Sequence, residues 1–504
     1  MDVCFVVPSI AARAYQQLAN IYSAVEPPTW ALLLASAVRA KGWQPAILDF
    51  EAEPTEVSAA AQRIGDLRPR FAVFVMYGQN PNSGTTLMIG AGELASQLRE
   101  SHPEVRIVFV GSHVSALPLE VIQLPYVDIA LLNEGVHALF ALLESGADVA
   151  LEKIPGIWYK DKHRLPRPGA PGRIVAADQM DLEMPGYAWD LLPKRSKPLD
   201  LYRAHFWHTN FLHEQRAPFA AVYTSLGCQF GCNFCMINIV NRTSYDAQST
   251  AADSRGMRFW SPALMLDEFE KLWNMGVRTL RLSDEMFFLN RKYYVPILEG
   301  LIARGMKFNL WAYARVDSVR KDQLELFKAA GVNWLCLGIE AGNQLVRVQI
   351  DKGRFHQVDI RRVVGDIKDA GISVLGNYMF GLPEDTIETM SETFDLAIEL
   401  RCEHANFYAA QALPGSPLYM YAKREGWDLP RRPEEYAFLS YECKPLRTKH
   451  LEAAEVLRFR DEAWHRYFTN LDYLSMIEHK FSAHARANIE DLSKIRLKRK
   501  LLGD

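Results

Sequence analysis

Three cysteines, Cys228, Cys232 and Cys235, lie within eight residues of one another in the run SLGCQFGCNFC, residues 225–235. Thiolates are soft ligands that select iron–sulfur clusters or zinc. A loop that carries three of them without a nearby fourth leaves one metal position without a protein ligand. The spacing therefore predicts a metal centre with an open coordination position, where chemistry can take place.

Other uses of these cysteines are less well supported. A zinc knuckle needs a fourth ligand at short spacing, but the nearest later cysteine is Cys336, and the only plausible upstream donors are His208 and His213. A disulfide framework fits poorly because seven cysteines in 504 residues is an odd number and nothing marks secretion. A zinc-stabilised binding protein without turnover remains an alternative to an enzyme.

Composition sets the broad class of protein. A chain of 504 residues with 49% hydrophobic and 23% charged residues predicts two to four globular domains and excludes disorder. The formal net charge of −3 provides no basic field for nucleic acid. No basic region precedes the first apolar stretch, and the longest apolar run, residues 30–38, is too short to span a bilayer. We expect a cytoplasmic protein with no nucleic-acid partner and no membrane span.

Residues 1–150 alternate short apolar strands with helical patterns, which predicts an α/β domain with a doubly wound, Rossmann-like parallel sheet. Such sheets bind ligands at the C-terminal ends of their strands. The first strand is not followed by Gly-x-Gly-x-x-Gly, which argues against a dinucleotide site. The predicted strands cover residues 3–8, 45–50, 71–77, 106–111 and 127–132. Polar residues in the loops after them are Asn80, Ser112, His113, Asn133, Glu134 and Gly135.

Three further regions follow. Residues 151–217 are punctuated by prolines and predict an irregular connector. Residues 218–425 repeat strand–helix units, which predicts a partial (β/α)6, TIM-like barrel with its site at the strand C-terminal ends. Residues 426–504 predict a helical C-terminal cap whose basic ending, 494–500, forms a solvated face. The six predicted barrel strands cover residues 219–225, 279–282, 308–314, 334–339, 373–380 and 405–410.

The Cys-x3-Cys-x2-Cys spacing, with Phe234 just before the third cysteine, resembles the signature of the radical S-adenosylmethionine (SAM) enzymes. The resemblance implies that Cys228, Cys232 and Cys235 hold a [4Fe-4S] cluster. It also implies that the amino acid part of SAM chelates the fourth iron. A reducing cytoplasm suits such an oxygen-sensitive cluster.

Polar positions after the predicted barrel strands match further motifs of that family. Asp284 and Glu285 follow the second strand, where related enzymes bind the SAM ammonium group; one of the two carboxylates could instead cap the next helix. Arg315 could pair with the SAM carboxylate, or form a structural ion pair with Asp284 or Asp317.

Two more motifs complete the match. Glu340 lies in the segment 337–342, followed by Asp351-Lys352-Gly353, which resembles a family segment that approaches the SAM ribose. Gly381 begins a Gly-Leu-Pro turn that resembles the one approaching the adenosine.

The N-terminal region resembles the cobalamin-binding domain that precedes the barrel in one large subfamily. The resemblance rests on the run EPPTW at residues 26–30, on Asp49, and on the turns 111–113 and 133–135. It implies that the polar loop residues contact a corrinoid. An Asp-x-His-x-x-Gly pattern is absent, so the lower face of the corrinoid is expected to receive no protein histidine. For His113 we favour a polar contact to the corrin, with capping of the following turn as the alternative.

Together these resemblances identify the chain as a cobalamin-dependent radical SAM enzyme of the class B methyltransferase type. They imply a 5'-deoxyadenosyl radical that removes hydrogen from an unactivated carbon of a small molecule or natural-product intermediate, followed by methylation of that carbon. The implied cofactors are a [4Fe-4S] cluster, SAM and cobalamin, with an electron donor such as flavodoxin or ferredoxin. A radical rearrangement, cyclisation or oxidation without methyl transfer is the alternative, and residue types leave the substrate open.

Overall fold

The computed structural model describes residues 1–145, 150–243, 245–350 and 358–504. The Asp351-Lys352-Gly353 segment lies outside the described residues. Two sheets of parallel strands dominate the architecture, and the first is the doubly wound sheet predicted for the N-terminal region. Its first five strands are β1 (Val3–Val7), β2 (Pro45–Asp49), β3 (Phe71–Met76), β4 (Arg106–Gly111) and β5 (Ile129–Leu131).

Strand order determines where this sheet can bind a ligand. The order is β2-β1-β3-β4-β5, and these five strands are parallel. Because the chain runs from β1 to one side for β2 and returns to the other side for β3, the C-terminal ends of β1 and β3 flank a topological switch point. The helices that connect and cover the strands are α1 (Ala11–Tyr15), α2 (Thr29–Ala40), α3 (Val57–Asp66), α4 (Gly84–Ser101), α5 (Ser112–Ala116), α6 (Pro118–Gln123) and α7 (Val136–Glu144).

Part of the connector differs from the sequence expectation. Two strands, β6 (Ile157–Lys160) and β7 (Pro166–Pro168), continue the N-terminal sheet by antiparallel pairing with β5 and with each other. Prolines occupy both ends of β7, which is an edge strand, where a missing N–H is tolerated. The connector is therefore irregular only after residue 168, where it contains the short helix α8 (Met180–Glu183) and several single turns.

The second sheet has six parallel strands, as predicted, in the order β15-β14-β13-β12-β11-β8. Sequential neighbours pair throughout, which is the topology of a partial barrel. A separate antiparallel pair, β9 with β10, stands beside it. The strands are β8 (Phe219–Val222), β9 (Ser225–Cys228), β10 (Gly256–Phe259), β11 (Thr279–Leu282), β12 (Asn309–Arg315), β13 (Val332–Glu340), β14 (Ser373–Phe380) and β15 (His404–Ala409).

Helices cover the outside of this partial barrel. Five of the seven begin at side-chain caps, such as Ser261, whose Oγ accepts a hydrogen bond of 3.2 Å from the N–H of Leu264 at the start of α9. No helix in the described part of the chain is long and apolar enough to cross a bilayer. These helices are α9 (Pro262–Asn274), α10 (Arg291–Ala303), α11 (Leu324–Ala329), α12 (Gln344–Gln349), α13 (Ile360–Asp369), α14 (Ile387–Leu400) and α15 (Pro417–Arg424).

The C-terminal region closes the molecule with α16 (Ala453–Phe468), α17 (Leu471–Lys480) and α18 (Ala483–Ser493). The basic ending is not α-helical after Ser493, but four of its five basic residues are exposed, as expected, and Arg499 is the exception; the exposed ones are Lys494, Arg496, Lys498 and Lys500. Arg499 is only 1% exposed, and its Nε lies 2.8 Å from Asp461 Oδ2. Gln16 of the N-terminal domain donates to the carbonyls of Leu439 and Lys498 at 2.7 and 3.1 Å. The C-terminal tail therefore joins the N-terminal domain to α16.

Candidate active site

One cavity of about 870 Å³ lies between the N-terminal sheet, the connector, the partial barrel and the C-terminal region. All four parts of the chain contribute to its wall. Its volume is near the upper end of the 300–1,000 Å³ that small-molecule sites usually have. The three cysteines of the metal motif open onto this cavity.

The cysteine loop is held by a hairpin of its own. The sequence predicted that the loop follows a strand running to Ser225, but β8 ends at Val222, and Cys228 instead ends β9, which pairs with β10. The Cys228 N–H donates to Asn238 Oδ1 at 2.8 Å. Gly227 has a φ of +85°, and a Cβ there would lie 2.2 Å from the carbonyl oxygen of Gly256, so this approach requires glycine.

Asn82 of the N-terminal domain supports the cysteine loop from the other side of the cavity. Its Oδ1 accepts from the N–H of Met236 at 2.9 Å, and its Nδ2 lies 3.8 Å from Cys235 Sγ. Asn80, a predicted site residue, also lines the cavity, and its side chain caps this turn by accepting from the N–H of Asn82 at 3.0 Å. The loop after β3 and the cysteine loop are therefore coupled directly.

The cysteine thiols suit a metal cluster. Burial raises the pKa of Cys228 to about 12 and that of Cys235 well above its ordinary value. Thiolates at these positions therefore need a strongly cationic partner, which the irons of a cluster provide. No set of three or more His, Cys, Asp or Glu side chains among the described residues is arranged to hold one metal ion. In a cluster each thiolate binds a different iron, and three half-buried cysteines around one loop fit that arrangement.

Adjacent carboxylates after β11 have different surroundings. Asp284 is 1% exposed and accepts hydrogen bonds from the N–H and Oγ1 of Thr224, both at 2.8 Å, and from Ser225. Glu285 lines the cavity, and its Oε1 is shielded from solvent without a hydrogen-bond partner among the described residues. Burial, with the nearby charge of Asp284, raises the pKa of Glu285 to about 7, although Arg281 acts against this. Glu285 therefore remains available to a cationic ligand, whereas Asp284 holds the entry to the cysteine hairpin.

The other predicted barrel residues divide in the same way. Arg315 lines the cavity below the Phe230 ring, at 3.8 Å from its centroid, and forms a two-pronged ion pair with Asp317 at 2.8 and 2.7 Å. The structural ion pair is therefore the arrangement observed. Glu340 lines the cavity with a φ of +65°. Phe234 also lines it and packs on the two apolar clusters that contain Leu382 and Leu418.

Gly381 lies outside the cavity wall. Its φ is +83°, and its N–H donates to Asp385 Oδ2 at 3.0 Å. A Cβ at this position would lie 2.4 Å from Cγ1 of Val456. The close approach that requires this glycine is therefore to α16, not to the cavity where adenosine was expected.

In the N-terminal sheet, the residues after β4 and β5 do not line the cavity. His113 shares a hydrogen bond of 3.1 Å with Thr85 Oγ1, and burial lowers its pKa to about 4. Ser112 is fully buried against Gly84. These positions belong to the packing of α4 on α5, so the predicted polar contact from His113 to a corrinoid has no support in this geometry.

The turn 133–135 is a structural joint. Asn133 Nδ2 donates to the Arg242 carbonyl at 3.1 Å, and Glu134, fully buried, pairs with Arg258 of β10 at 2.7 Å. Gly135 has a φ of +77°, and a Cβ there would lie 2.8 Å from Val110. The turn thus fastens β5 to the segment that follows the cysteine loop.

The wall contributed by β1, β2 and β3 fits a corrinoid. It combines apolar side chains such as Val7, Ile10 and Leu87 with the side-chain amides of Gln79, Asn80 and Asn82. A corrin is apolar over its face and carries amide groups around its edge, which can pair with such amides. The wall lies at the switch point between β1 and β3, where sheets of this order bind ligands. Its described residues include no histidine.

Sequence reasoning missed a polar group deep in this cavity. Glu26 pairs with His205 and with Arg281, at 2.7 and 2.6 Å. A signal existed, because Arg281 is a charged residue inside an otherwise apolar strand, TLRL, and such a residue needs a buried partner. Glu26 was noted only as part of the run EPPTW.

Comparison with known proteins agrees with this architecture. Residues 222–397 match the model of the Radical SAM superfamily, and residues 19–143 match that of the B12 binding domain. The cysteine loop lies in the first range and the β1–β3 wall mostly in the second. The chain belongs to the cobalamin-binding radical SAM enzymes. Such an enzyme uses a [4Fe-4S] cluster, SAM and cobalamin.

Individual relatives are distant. An uncharacterised methyltransferase of Pyrococcus horikoshii is 26% identical over 427 residues, 84% of this chain and 83% of the relative. The anaerobic magnesium-protoporphyrin IX monomethyl ester cyclase of Rubrivivax gelatinosus is 25% identical over 466 residues, 89% of this chain and 75% of the relative. The fold is shared with the solved structure of the radical SAM methyltransferase TsrM of Kitasatospora setae, which has cobalamin and a [4Fe-4S] cluster bound. The TM-score is 0.66 and the sequence identity 16%, and the match covers 98% of this chain and 99% of TsrM.

Proposed function

We propose that this chain is a cobalamin-dependent radical SAM C-methyltransferase acting on an unactivated carbon of a small molecule. The observation that carries the proposal is the shared cavity, onto which both the cysteine loop and the switch-point wall of the N-terminal sheet open. When bound, the cluster and SAM supply a carbon-centred radical and cobalamin supplies the methyl group. The protein's task is to hold these groups and the substrate close together in a space that excludes water.

Specific residues support this task. Cys228, Cys232 and Cys235 would bind three irons, and Asn82 would keep the loop that carries them against the wall for the corrinoid. Glu285 would accept the ammonium group of SAM, because its Oε1 is buried without a partner. Arg315 and Glu340 would contact the rest of SAM from the same wall.

The names of the relatives favour methyl transfer. The relative from Pyrococcus horikoshii is described as a methyltransferase. The tryptophan 2-C-methyltransferase of Streptomyces laurentii is 24% identical over 208 residues. The hopanoid C-2 methylase of Rhodopseudomonas palustris is 25% identical over 212 residues. We further propose an electron donor such as flavodoxin or ferredoxin, and a cytoplasmic location.

A radical cyclisation without methyl transfer is the second candidate. The specific observation in its favour is the similarity to the magnesium-protoporphyrin cyclases, which extends over 89% of this chain.

One experiment separates the two functions. The enzyme is reconstituted without oxygen, reduced, and given SAM carrying a deuterated methyl group together with candidate substrates chosen from neighbouring genes. Methyl transfer predicts a product heavier by the labelled methyl group, with S-adenosylhomocysteine and 5'-deoxyadenosine in equal amounts. Cyclisation predicts 5'-deoxyadenosine and no label in the product.

A further inference from the structure

Three parts of the chain meet at one carboxylate on the cavity wall. Glu26 precedes α2 of the N-terminal domain, His205 belongs to the connector, and Arg281 lies on β11 of the barrel. His205 Nε2 lies 2.7 Å from Glu26 Oε1, and Arg281 Nη1 lies 2.6 Å from Glu26 Oε2. The Glu26 side chain is 7% exposed and that of Arg281 fully buried, so both ionic groups are shielded from water.

Arg281 keeps Glu26 ionised. Its guanidinium lies between two aromatic rings, 4.7 Å from the centroid of Trp311 and 5.4 Å from that of Tyr313. Burial alone raises the pKa of Glu26, but the charge of Arg281 and the hydrogen bond from His205 hold it below its ordinary value. The carboxylate is therefore a permanent hydrogen-bond acceptor for His205.

This pairing occupies Nε2 of His205 and leaves Nδ1 as the second ring nitrogen that can form a hydrogen bond. In its neutral form the imidazole carries its one proton on the nitrogen that faces the carboxylate, so Nδ1 can accept a hydrogen bond, and a ligand that donates to Nδ1 selects this form. The ring lines the cavity, and no described residue forms a hydrogen bond with Nδ1. Two further histidines lie nearby, His208 and His404, and burial lowers the pKa of both, so both are neutral.

Aromatic walls surround this acceptor. Trp207 stacks on His205 with a centroid distance of 5.5 Å and an interplanar angle of 18°, and Trp311 meets His205 edge-on at 5.8 Å. Of the 69 residues that line the cavity, 15 are Phe, Trp or Tyr, about twice the 11% found in the whole chain. Walls of this kind favour a flat ring that can stack or meet them edge-on.

The acceptor lies well away from the cysteine loop. Trp311 beside His205 and Arg315 beside Phe230 are four residues apart on β12, and a strand rises about 3.3 Å per residue, so the two levels are separated by about 13 Å. This distance leaves room for SAM at one end of the cavity and a second molecule at the other.

We propose that His205, held by Glu26 and flanked by Trp207 and Trp311, forms a subsite that recognises the substrate. It takes a flat aromatic or heteroaromatic ring bearing an N–H or O–H donor, which donates to Nδ1. His205 is the binding residue, and Glu26 is a positioning residue that acts through it. The inference rests on the proposed function only in identifying this second molecule as the methyl acceptor.

The test uses the unreduced holoenzyme, loaded with cluster, cobalamin and SAM, so that no turnover occurs. Binding of indole, the smallest flat ring with an N–H donor at its edge, is compared with that of 1-methylindole by equilibrium dialysis. We expect indole to bind about tenfold more tightly, because the methylated ring leaves Nδ1 unpaired. Equal affinities, or no binding of either probe at millimolar concentration, would overturn the proposal.

Variants assign the effect to the residue. His205→Phe keeps a ring against Trp207 and should bring the ratio of affinities close to one. His465→Phe, the same change at another position that lines the cavity, should leave the ratio unchanged. If His205→Phe still binds indole about tenfold more tightly than 1-methylindole, the subsite is contradicted. A loss of stability in this variant does not affect the conclusion, because only folded protein binds the probes and both affinities refer to it.

The role of Glu26 is tested by rescue. Glu26→Ala should lower the ratio to below about threefold, since an unheld imidazole loses its fixed tautomer. Glu26→Gln still offers an oxygen to Nε2 and should retain most of the discrimination. An unchanged ratio in Glu26→Ala would overturn the positioning role. Failure of the proposed function appears instead as a lack of SAM cleavage or methyl transfer, which this binding measurement does not involve.

Discussion

Polar residues follow strands in both parallel sheets, yet the two sheets place them differently. In the partial barrel, Glu285, Arg315 and Glu340 all reach the cavity. In the N-terminal sheet only the ends of β1, β2 and β3 reach it, while the residues after β4 and β5 are covered by other parts of the chain. A curled sheet directs its strand ends towards a common axis, whereas an open sheet spreads them along an edge.

The comparison teaches that position after a strand is not sufficient for a ligand contact. Glu134 and Glu285 occupy equivalent places after β5 and β11, but Glu134 is neutralised by Arg258, and Glu285 keeps an unpaired oxygen. Glu134 therefore joins two parts of the chain, and Glu285 faces the cavity. The following substitutions test this division between joining residues and cavity residues.

The largest effect is expected at the metal motif. Replacing Cys228, Cys232 and Cys235 together by alanine should abolish the cluster and SAM cleavage, because no thiolate remains to hold iron. Cobalamin binding should survive, since its wall belongs to the other sheet. Iron and sulfide analysis, 5'-deoxyadenosine formation and the cobalamin spectrum measure these outcomes. Cys402→Ala, a buried cysteine outside the cavity wall, serves as the control. SAM cleavage that persists in the triple variant would contradict the assignment.

A joining residue should affect stability. Glu134→Ala leaves the buried guanidinium of Arg258 without its carboxylate, and we expect a loss of about 3–5 kcal/mol in the free energy of unfolding. Glu478→Ala breaks an exposed ion pair with Arg486 and should cost less than about 1 kcal/mol. Denaturant unfolding of the two variants provides the comparison. If Glu134→Ala were as stable as Glu478→Ala but lost cobalamin, the turn 133–135 would be a ligand site after all.

Asp284 and Glu285 test the division between joining residues and cavity residues within the barrel. Asp284→Asn keeps one oxygen for the hydroxyls of Thr224 and Ser225 but places an NH2 group against the Thr224 N–H, and it should destabilise the chain by about 1–3 kcal/mol. Glu285→Gln should leave stability nearly unchanged and weaken SAM binding by about tenfold, through loss of one charge-assisted hydrogen bond. Thermal unfolding and SAM titration of both variants separate the two effects. The reverse pattern would exchange the roles of the two residues.

The smallest effect is a pH dependence of SAM binding. The pKa of Glu285 is raised to about 7, so the carboxylate form that attracts an ammonium group predominates above that pH and is lost below it. SAM affinity in the parent enzyme should therefore fall by up to about tenfold between pH 8 and pH 6. In Glu285→Gln the affinity should not change over this range. A sloping profile in the variant would attribute the titration to another group.

The strands of both sheets could be predicted closely from the sequence. The predicted ranges 106–111, 279–282 and 373–380 coincide with β4, β11 and β14. A parallel strand buried on both faces is a continuous apolar run, and such runs stand out between helical patterns. The antiparallel continuation by β6 and β7 was missed because proline-rich stretches favour irregular structure in general, and only an edge position tolerates them in a sheet.

The metal motif could be read from the amino-acid order alone, because three thiolates at short spacing create their chemistry within a single loop. The two classes of sheet could be predicted in the same way, since apolar periodicity is a local property. Which polar residues face the cavity, and which of two adjacent carboxylates keeps an oxygen without a partner, depends on contacts that form only in the folded chain. The ion pair of Glu26 with Arg281, for example, joins residues 255 positions apart, so no local sequence pattern encodes it. In the low dielectric of the interior, such a pairing determines whether a buried carboxyl group is ionised.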